Sequence, residues 1–380
     1  MKGAGVPPER VGPVAPPRWG DRARALLPTI TEVAAPPFAE GDRAAVVAEL
    51  WRALGLDARL DGVGNVVAEV PGGSGPRVVL AAHLDTVFEA GTDVTVRERP
   101  DGTWAAPGIG DNSSSLAVIT TLAEAIVAGA VARRPRLVLA ATVGEEGLGD
   151  LRGARALVAD LAGTVEAFVA VDGHLGAIVD AGVGSRRFEA VFRGRGGHSW
   201  GDRGTPSAIH AAGDAVHAVT RVSVPREPRS SLSVGLISGG TAVNAIAAEA
   251  RFTVDIRSVD EPTLVALEAA AVARIRSVAR RHGIELEVLS VGSRPAGRAE
   301  NADLVAAARA ALHSIGVEGA IMASSTDANA AMAAGVSAIC FGVYRGGDAH
   351  RTSEWMDPRS LDDGVRVLLA LLGELAGDDR

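Results

Sequence analysis

The feature that most constrains the fold is a short apolar run that ends in a histidine and a carboxylate. Residues 78–82 are all apolar and are followed directly by His83-Leu84-Asp85. Such a run is typical of a strand buried on both faces of a parallel sheet. Ligands bind beyond the carboxyl ends of such strands, so His83 and Asp85 are predicted to lie at a binding edge. A lone His-x-Asp is more often a surface turn, and its meaning depends on how the other strands end.

Three further apolar runs end in the same way. They cover residues 137–143, 168–171 and 339–343, and the polar residues that follow them are Glu145, Glu146, Asp172 and His350. A glycine-rich turn also places Asp111 just before a helical stretch that begins near Leu116. Because the carboxyl ends of parallel strands meet at one edge of a sheet, we expect these side chains to converge.

The converging side chains are imidazoles and carboxylates, without a thiolate. This set suits two divalent metal ions bridged by one carboxylate, with zinc as the first choice and manganese or cobalt as substitutes. Two ions ~3.5–4 Å apart can polarise a carbonyl and lower the pKa of a shared water. Such a site needs one carboxylate that takes the proton from that water and passes it to the leaving amine. The Glu145-Glu146 pair offers one ligand and one free carboxylate, because neighbouring side chains diverge at a strand end.

The composition excludes several classes of protein and of site. A formal net charge of −8 argues against nucleic acid or an anionic membrane as a partner. No apolar run approaches the ~20 residues that span a bilayer, and the N-terminus lacks the pattern of a signal peptide, so we expect a cytoplasmic protein. Cys340 is the only cysteine and Lys2 the only lysine. These counts exclude a disulfide framework, a thiolate-rich zinc site, a P-loop lysine and a Schiff-base lysine.

The pattern of elements changes near residue 184. Residues 1–20 are rich in proline and glycine and are expected to be an unpacked tail. Residues 21–183 and 293–380 alternate helices and strands, which predicts one α/β domain assembled from both ends of the chain. Residues 184–292 show the β-α-β-β-α-β order of a ferredoxin-like unit. The predicted fold is therefore a mixed sheet flanked by helices, with an inserted ferredoxin-like α+β domain.

The order of the motifs resembles that of the co-catalytic dizinc exopeptidases and amidohydrolases. This family includes glutamate carboxypeptidase, peptidase T, bacterial dipeptidases, aminoacylase and succinyl-diaminopimelate desuccinylase. The resemblance covers about residues 25–375, from His-x-Asp through Gly-x-Gly-Asp, Glu-Glu, Asp-Gly and Gly-Gly-His-Ser to a C-terminal histidine. It implies a zinc-exopeptidase-like fold and a role for each motif residue. The implied metal ligands are His83, Glu146, Asp172 and His350, with Asp111 as the bridge, Glu145 as the general base and Asp85 as the residue that orients His83.

By the same resemblance, the inserted unit is a lid and dimerisation domain, so a homodimer is expected. His198, in the Gly-Gly-His-Ser motif, matches a histidine that reaches the partner's active site in dimeric relatives and stabilises the oxyanion. Asn244 and Arg257 match residues that hold the carbonyl and the carboxylate of the substrate, and arginine suits bidentate carboxylate recognition. On sequence alone, Arg257 at a strand end is equally well explained as a surface ion-pair partner.

Asp172 bears on the substrate. Relatives that cleave di- and tripeptides tend to have aspartate at this ligand position, whereas carboxypeptidase-type and deacylase-type relatives tend to have glutamate. The leading hypothesis is therefore a metal-dependent exopeptidase of small peptides, closest to a peptidase T-like subgroup. An N-acyl-amino-acid deacylase on the same scaffold is the alternative, because it would use the same residues. A non-catalytic binding protein is more remote, since such relatives usually lose ligands or the base.

Overall fold

The computed structural model describes residues 19–131 and 133–376. The expected tail, residues 1–20, lies outside this part except for Trp19 and Gly20, which begin the first helix. Nine α-helices form within the described residues. They are α1 (Trp19–Thr31), α2 (Gly41–Ala53), α3 (Ser115–Val127), α4 (Arg152–Asp160), α5 (Ala208–Val219), α6 (Glu261–His282), α7 (Ala302–Ser314), α8 (Ala328–Ala333) and α9 (Ser360–Leu375).

The strands of the described residues number eighteen, several of them only two residues long. They are β1 (Arg59–Leu60), β2 (Val66–Val70), β3 (Arg77–His83), β4 (Arg97–Glu98), β5 (Trp104–Ala105), β6 (Arg136–Thr142), β7 (Ala167–Val171), β8 (Ala177–Gly182), β9 (Gly184–Arg193), β10 (Gly197–His198), β11 (Ser230–Gly239), β12 (Ala245–Ile246), β13 (Glu249–Ser258), β14 (Glu285–Arg294), β15 (Ala320–Ser324), β16 (Ser337–Phe341), β17 (Gly346–Gly347) and β18 (Trp355–Met356).

The largest sheet is mixed, and its middle is parallel. Its eight strands have the order β1-β2-β6-β3-β7-β16-β8-β15. Strand β3 pairs in parallel with β6 and β7, and β16 pairs in parallel with β7. The carboxyl ends of β6, β3, β7 and β16 therefore meet at one edge, as the apolar runs predict. The mixed α/β fold flanked by helices is thus confirmed.

Both faces of this sheet are covered by helices, which is why its strands are apolar without alternation. Leu80 faces a core cluster that includes Ile119 of α3 and Leu368 of α9. The next residue back, Val79, faces a second cluster that includes Leu157 of α4 and Met332 of α8. The residues at the ends of these strands are therefore held in position by a sheet that is packed on both faces.

Residues 184–294 contribute a second, antiparallel sheet with the order β11-β13-β9-β14. Helices α5 and α6 pack on it around a separate core that includes Phe188, Phe252 and Leu264. Helix α6 starts where the Asp260 carboxylate accepts the Thr263 N–H at 2.9 Å. It ends at Gly283, whose φ of +61° suits glycine. Strand order and connectivity are those of the expected ferredoxin-like unit.

A small sheet, not predicted from the sequence, joins two distant loops. Its order is β17-β18-β5-β4. Strand β5 leads into the loop that ends at Asp111, and the β17–β18 hairpin holds His350. Within the described part of the chain, none of the helices combines the length and apolar character that crossing a bilayer requires.

Candidate metal centre

His83 is the last residue of β3, and its buried imidazole faces two carboxylates. Its Nε2 lies 2.9 Å from Oδ1 of Asp111 and 4.0 Å from Oδ2 of Asp172. Its Nδ1 lies 3.0 Å from the backbone carbonyl oxygen of Asp85. A hydrogen bond at Nδ1 fixes the tautomer and leaves Nε2 as the atom that can bind a metal.

Asp111 stands between two groups of possible ligands. Its second oxygen, Oδ2, lies 3.1 Å from Nε2 of His350, which in turn lies 3.0 Å from Oε1 of Glu146. One group therefore consists of His83, Asp111 and Asp172, and the other of Asp111, Glu146 and His350. Within each group the ligand atoms lie within 4.8 Å of one another. The structure thus brings together the five side chains that the sequence predicts as ligands, with Asp111 in both groups.

The donor atoms of this centre fit divalent cations. Nε2 of His83 and Oδ1 of Asp111 are buried and face each other, yet among the described residues neither has a hydrogen-bond partner of good geometry. Buried polar atoms are almost always satisfied, so this pair calls for a bound group that accepts lone pairs from both atoms. Imidazole and carboxylate donors without thiolate suit zinc, manganese or cobalt.

The metal-free centre holds protons that a cation would replace. Hydrogen bonds to Asp111 and Glu146 raise the pKa of His350 to about 11. Burial, and then the Asp111 charge, raises the pKa of Asp172 to about 7. Burial opposes the charged form of His83, but the adjacent Asp111 carboxylate, 2.9 Å from Nε2, still holds the pKa of this imidazole well above its usual value. Metal binding must displace these protons, since only deprotonated ligands bind.

Glu145 is buried beside both ligand groups. Burial, followed by repulsion from Glu146, raises the pKa of Glu145 well above its usual value. Nη1 of Arg294 lies 3.2 Å from Oε1 of Glu145 and acts in the opposite direction. The ligand atoms of His83, Glu145 and Glu146 also lie within 4.8 Å of one another. A carboxylate in this position can accept a proton from a water held between the two ligand groups.

Asp85 acts through different atoms than expected. Its carboxylate accepts the backbone N–H groups of Glu145 at 2.9 Å and of Glu146 at 2.7 Å, whereas His83 is held by the Asp85 carbonyl. The reason is the parallel pairing of β3 with β6, which places the residues just past the two strands side by side. Asp85 therefore fixes the turn that presents the two glutamates.

A family model for peptidase family M20/M25/M40 matches residues 79–374. The chain belongs to this family. It is an M20 hydrolase, and members of this family are metal-dependent.

Solved structures of other M20-like enzymes share the fold. Aminopeptidase PepT from Bacillus cereus superimposes with a TM-score of 0.80 at 22% identity, covering 94% of this chain and 99% of that one. A tripeptidase from Staphylococcus aureus has the same TM-score and identity, covering 94% and 98%. A stretch of 62 residues is 38% identical to a Thermococcus kodakarensis protein whose name assigns it LysW-lysine and LysW-ornithine hydrolase activity, but it spans only 16% of this chain and 18% of that protein.

Three buried residues of the M20 centre were missed by sequence reasoning. Glu354 accepts backbone N–H groups of the Asp111 loop, and Arg294 contacts both the side chain and the carbonyl of Glu145. Asp327 accepts the Thr142 hydroxyl at 2.5 Å, and burial raises its pKa to about 6. The sequence offered little to identify these three residues, because none of them follows a long apolar run. Glu354 alone lies close in sequence to a predicted ligand.

The three residues predicted to bind substrate are hydrogen-bonded inside the inserted unit and not to the predicted metal ligands, among the residues that the structure describes. The Ser199 N–H donates to the Asn244 carbonyl at 3.0 Å, so His198 and Asn244 lie on adjacent segments, and both are exposed. Nε of Arg257 lies 2.8 Å from Oδ2 of Asp255, which is the surface ion pair that the sequence left open. Within the described part of the chain, the hydrogen bonds of these three residues stay inside residues 184–292.

Proposed function

We propose that this protein is a metal-dependent exopeptidase that hydrolyses an amide bond in di- and tripeptides. The observation that carries the proposal is the pair of ligand groups that share Asp111, with the buried Glu145 beside both. Such a pair suits the activation of one water by two cations. Residue 172 is aspartate rather than glutamate, which favours the relatives that cleave small peptides over the carboxypeptidase-type and deacylase-type relatives.

In the proposed mechanism, two divalent cations, with zinc as the first choice, would be held by His83, Asp111, Glu146, Asp172 and His350. When bound, they would supply polarisation of the scissile carbonyl and a lowered pKa for a water. Glu145 accepts a proton from the attacking water and donates it to the leaving amine. The contact of Arg294 with Glu145 limits where that carboxylate can point. The Asp85 carboxylate keeps the Glu145-Glu146 turn in place throughout.

We further propose that residues 184–292 act as a lid and dimerisation domain inserted into a catalytic domain of residues 21–183 and 293–380. Its separate apolar core and its own sheet support this division. Strand β11 is at an edge of that sheet and exposes Leu236 and Ile237 to 71% and 61%. Exposed apolar edge strands are rare in monomers, because they invite pairing. In the proposed dimer, His198 of one chain would stabilise the oxyanion in the partner's site, with Asn244 and Arg257 binding substrate.

The test is a substrate panel with the zinc-loaded protein. Di- and tripeptides should be hydrolysed, while N-acetyl and N-succinyl amino acids should be poor substrates. Turnover of the acylated compounds alone would instead establish an N-acyl-amino-acid deacylase on the same scaffold. Absence of turnover together with absence of bound metal would overturn both readings in favour of a binding protein.

A further inference from the structure

Glu354 is a buried glutamate that is hydrogen-bonded to a loop far from it in sequence. Only 1% of its surface is exposed. Its carboxylate accepts three backbone N–H groups, those of Gly108 at 2.7 Å, Gly110 at 2.9 Å and Asp111 at 2.8 Å. Bonds from charged acceptors to backbone N–H groups are among the strong ones. All three donors belong to the loop that presents the bridging ligand.

This loop is irregular and depends on outside partners for its shape. Gly108 has a φ of +75°, and a Cβ added to Gly110 would lie 2.6 Å from the ring of Tyr344. The N–H groups of such a turn have no regular ladder to join, and leaving them unpaired when buried is costly. Glu354 satisfies three of them with one carboxylate, and its own carbonyl accepts the Ala106 N–H at 3.2 Å.

Glu354 also belongs to the hairpin that holds His350. The hairpin runs from β17 to β18, and Trp355 and Met356 of β18 pair with Ala105 and Trp104 of β5. His350 lies in its turn with a φ of +65° and a side chain that is 55% exposed. Among the described residues, its imidazole contacts Asp111 and Glu146. Its position is therefore set by the hairpin rather than by surrounding packing.

The other ligand group has independent support. His83 is the last residue of β3 and Asp172 directly follows β7, both in the large sheet, and the Asp85 carbonyl orients His83. Within the residues that the structure describes, Asp111 is the member of that group that contacts the hairpin, through His350 and Glu354. The position formed by Asp111, Glu146 and His350, by contrast, takes two of its three side chains from segments that Glu354 joins.

We propose that Glu354 is a positioning residue for the metal position formed by Asp111, Glu146 and His350, because it locks the bridging carboxylate and the exposed histidine into one unit. The inference rests on the proposed metal-dependent function. It adds that the two metal positions respond differently to the loss of one buried carboxylate. Residues that support metal ligands in this way typically contribute about 10–100-fold in metal affinity.

The variant to test is Glu354→Gln, which keeps the volume but turns one acceptor oxygen into an NH₂ donor facing N–H groups. Asp260→Asn is the matched control, since it also removes a carboxylate that accepts a backbone N–H, at the start of α6. Zinc binding is measured on the full chain by chelator competition and elemental analysis, and cobalt binding by visible absorption. The thermal midpoint of the metal-free protein is recorded for each variant.

We expect Glu354→Gln to bind the first zinc as wild type does and the second at least about tenfold more weakly. Its kcat should return towards the wild-type value at saturating zinc. If glutamine prevents folding, Glu354→Asp keeps the charge, shortens the reach and should show the same selective loss in milder form. Asp260→Asn should bind two zinc ions with wild-type affinities.

Two zinc ions bound by Glu354→Gln with unchanged affinities would overturn the inference and leave the proposed function intact. Equal weakening of both positions, together with a lower thermal midpoint of the metal-free protein, would overturn it as well, because Glu354 would then support the fold in general. A wild-type protein that binds no zinc, manganese or cobalt would overturn the proposed function itself and this inference with it.

Discussion

At the scale of single residues, the surroundings of Glu145 point to one role, proton transfer. It is buried, lies beside two ligand groups and is contacted by Arg294. A carboxylate that only stabilised the fold would be better placed at the surface, since burying its charge costs free energy. The position therefore agrees better with proton transfer than with a structural role.

Glu145→Gln should keep the fold and the metal content and lower kcat by about 10²–10⁴-fold, the usual contribution of a general base. Glutamine retains an oxygen for the Arg294 contact but cannot take up the proton from water. Steady-state kinetics on the best peptide and metal analysis of the same preparation check this. Glu124→Gln is the control, because among the described residues the Glu124 carboxylate pairs with Arg22 on α1 and is no part of the ligand groups. Retained activity in Glu145→Gln would place the base elsewhere.

Metal binding should release protons and strengthen as pH rises. At pH 7 the metal-free His350, with a pKa of about 11, is protonated, and Asp172, with a pKa of about 7, is half protonated. Both must lose their protons to bind a cation. Calorimetric titration in two buffers of different ionisation enthalpy should therefore give different apparent enthalpies. The difference should shrink in His350→Ala, and equal enthalpies for the wild type would contradict the protonated state of the site.

At the scale of elements, the strands and helices that could be predicted were those with a clear pattern of apolar residues. Strand β3 was expected close to where it lies, because an uninterrupted apolar run leaves a strong local signal. The β-α-β-β-α-β order expected for residues 184–292 also agrees with the order of the observed elements. The β17–β18 hairpin was not predicted, since two-residue strands have no periodicity. The role of the Asp85 carboxylate was also missed, because sequence does not say whether a residue acts through its side chain or its carbonyl.

Arg43 on α2 connects the end of α1 to the segment after β3, and its loss should lower the stability of the fold. Its fully buried guanidinium donates to the carbonyls of Val33 at 2.8 Å, Leu84 at 2.9 Å and Thr31 at 3.3 Å. Arg43→Met leaves these buried acceptors unpaired and should lower the free energy of unfolding by about 3 kcal/mol. Urea denaturation of the metal-free protein measures the change.

The matched control is Arg52→Met on the same helix. Arg52 is exposed and donates once, to the Ala58 carbonyl at 2.9 Å. Its loss should cost no more than about 1 kcal/mol. Similar losses for both variants would show that the carbonyl contacts of Arg43 contribute little.

At the scale of the whole molecule, the sequence indicated two kinds of unit but not how they work together. The convergence of the five predicted ligands could be foreseen because parallel strands share an edge. The position of His198 relative to that centre could not, since no periodicity or motif spacing fixes how an inserted unit sits against its host. Its hydrogen bonds within the loop, with Nδ1 accepting the N–H groups of Trp200 and Gly201, leave the side chain exposed.

The proposed exchange of His198 between chains predicts complementation. Glu145→Gln and His198→Ala should each be nearly inactive as homodimers. In a mixed dimer, the chain with an intact Glu145 receives an intact His198 from its partner, so one of its two sites is complete. Random reassortment should therefore restore about a quarter of the wild-type activity. Co-expression with two affinity tags isolates the mixed dimer, and light scattering verifies its mass. Activity of the mixture no greater than the mean of the parents would show that His198 does not act across an interface.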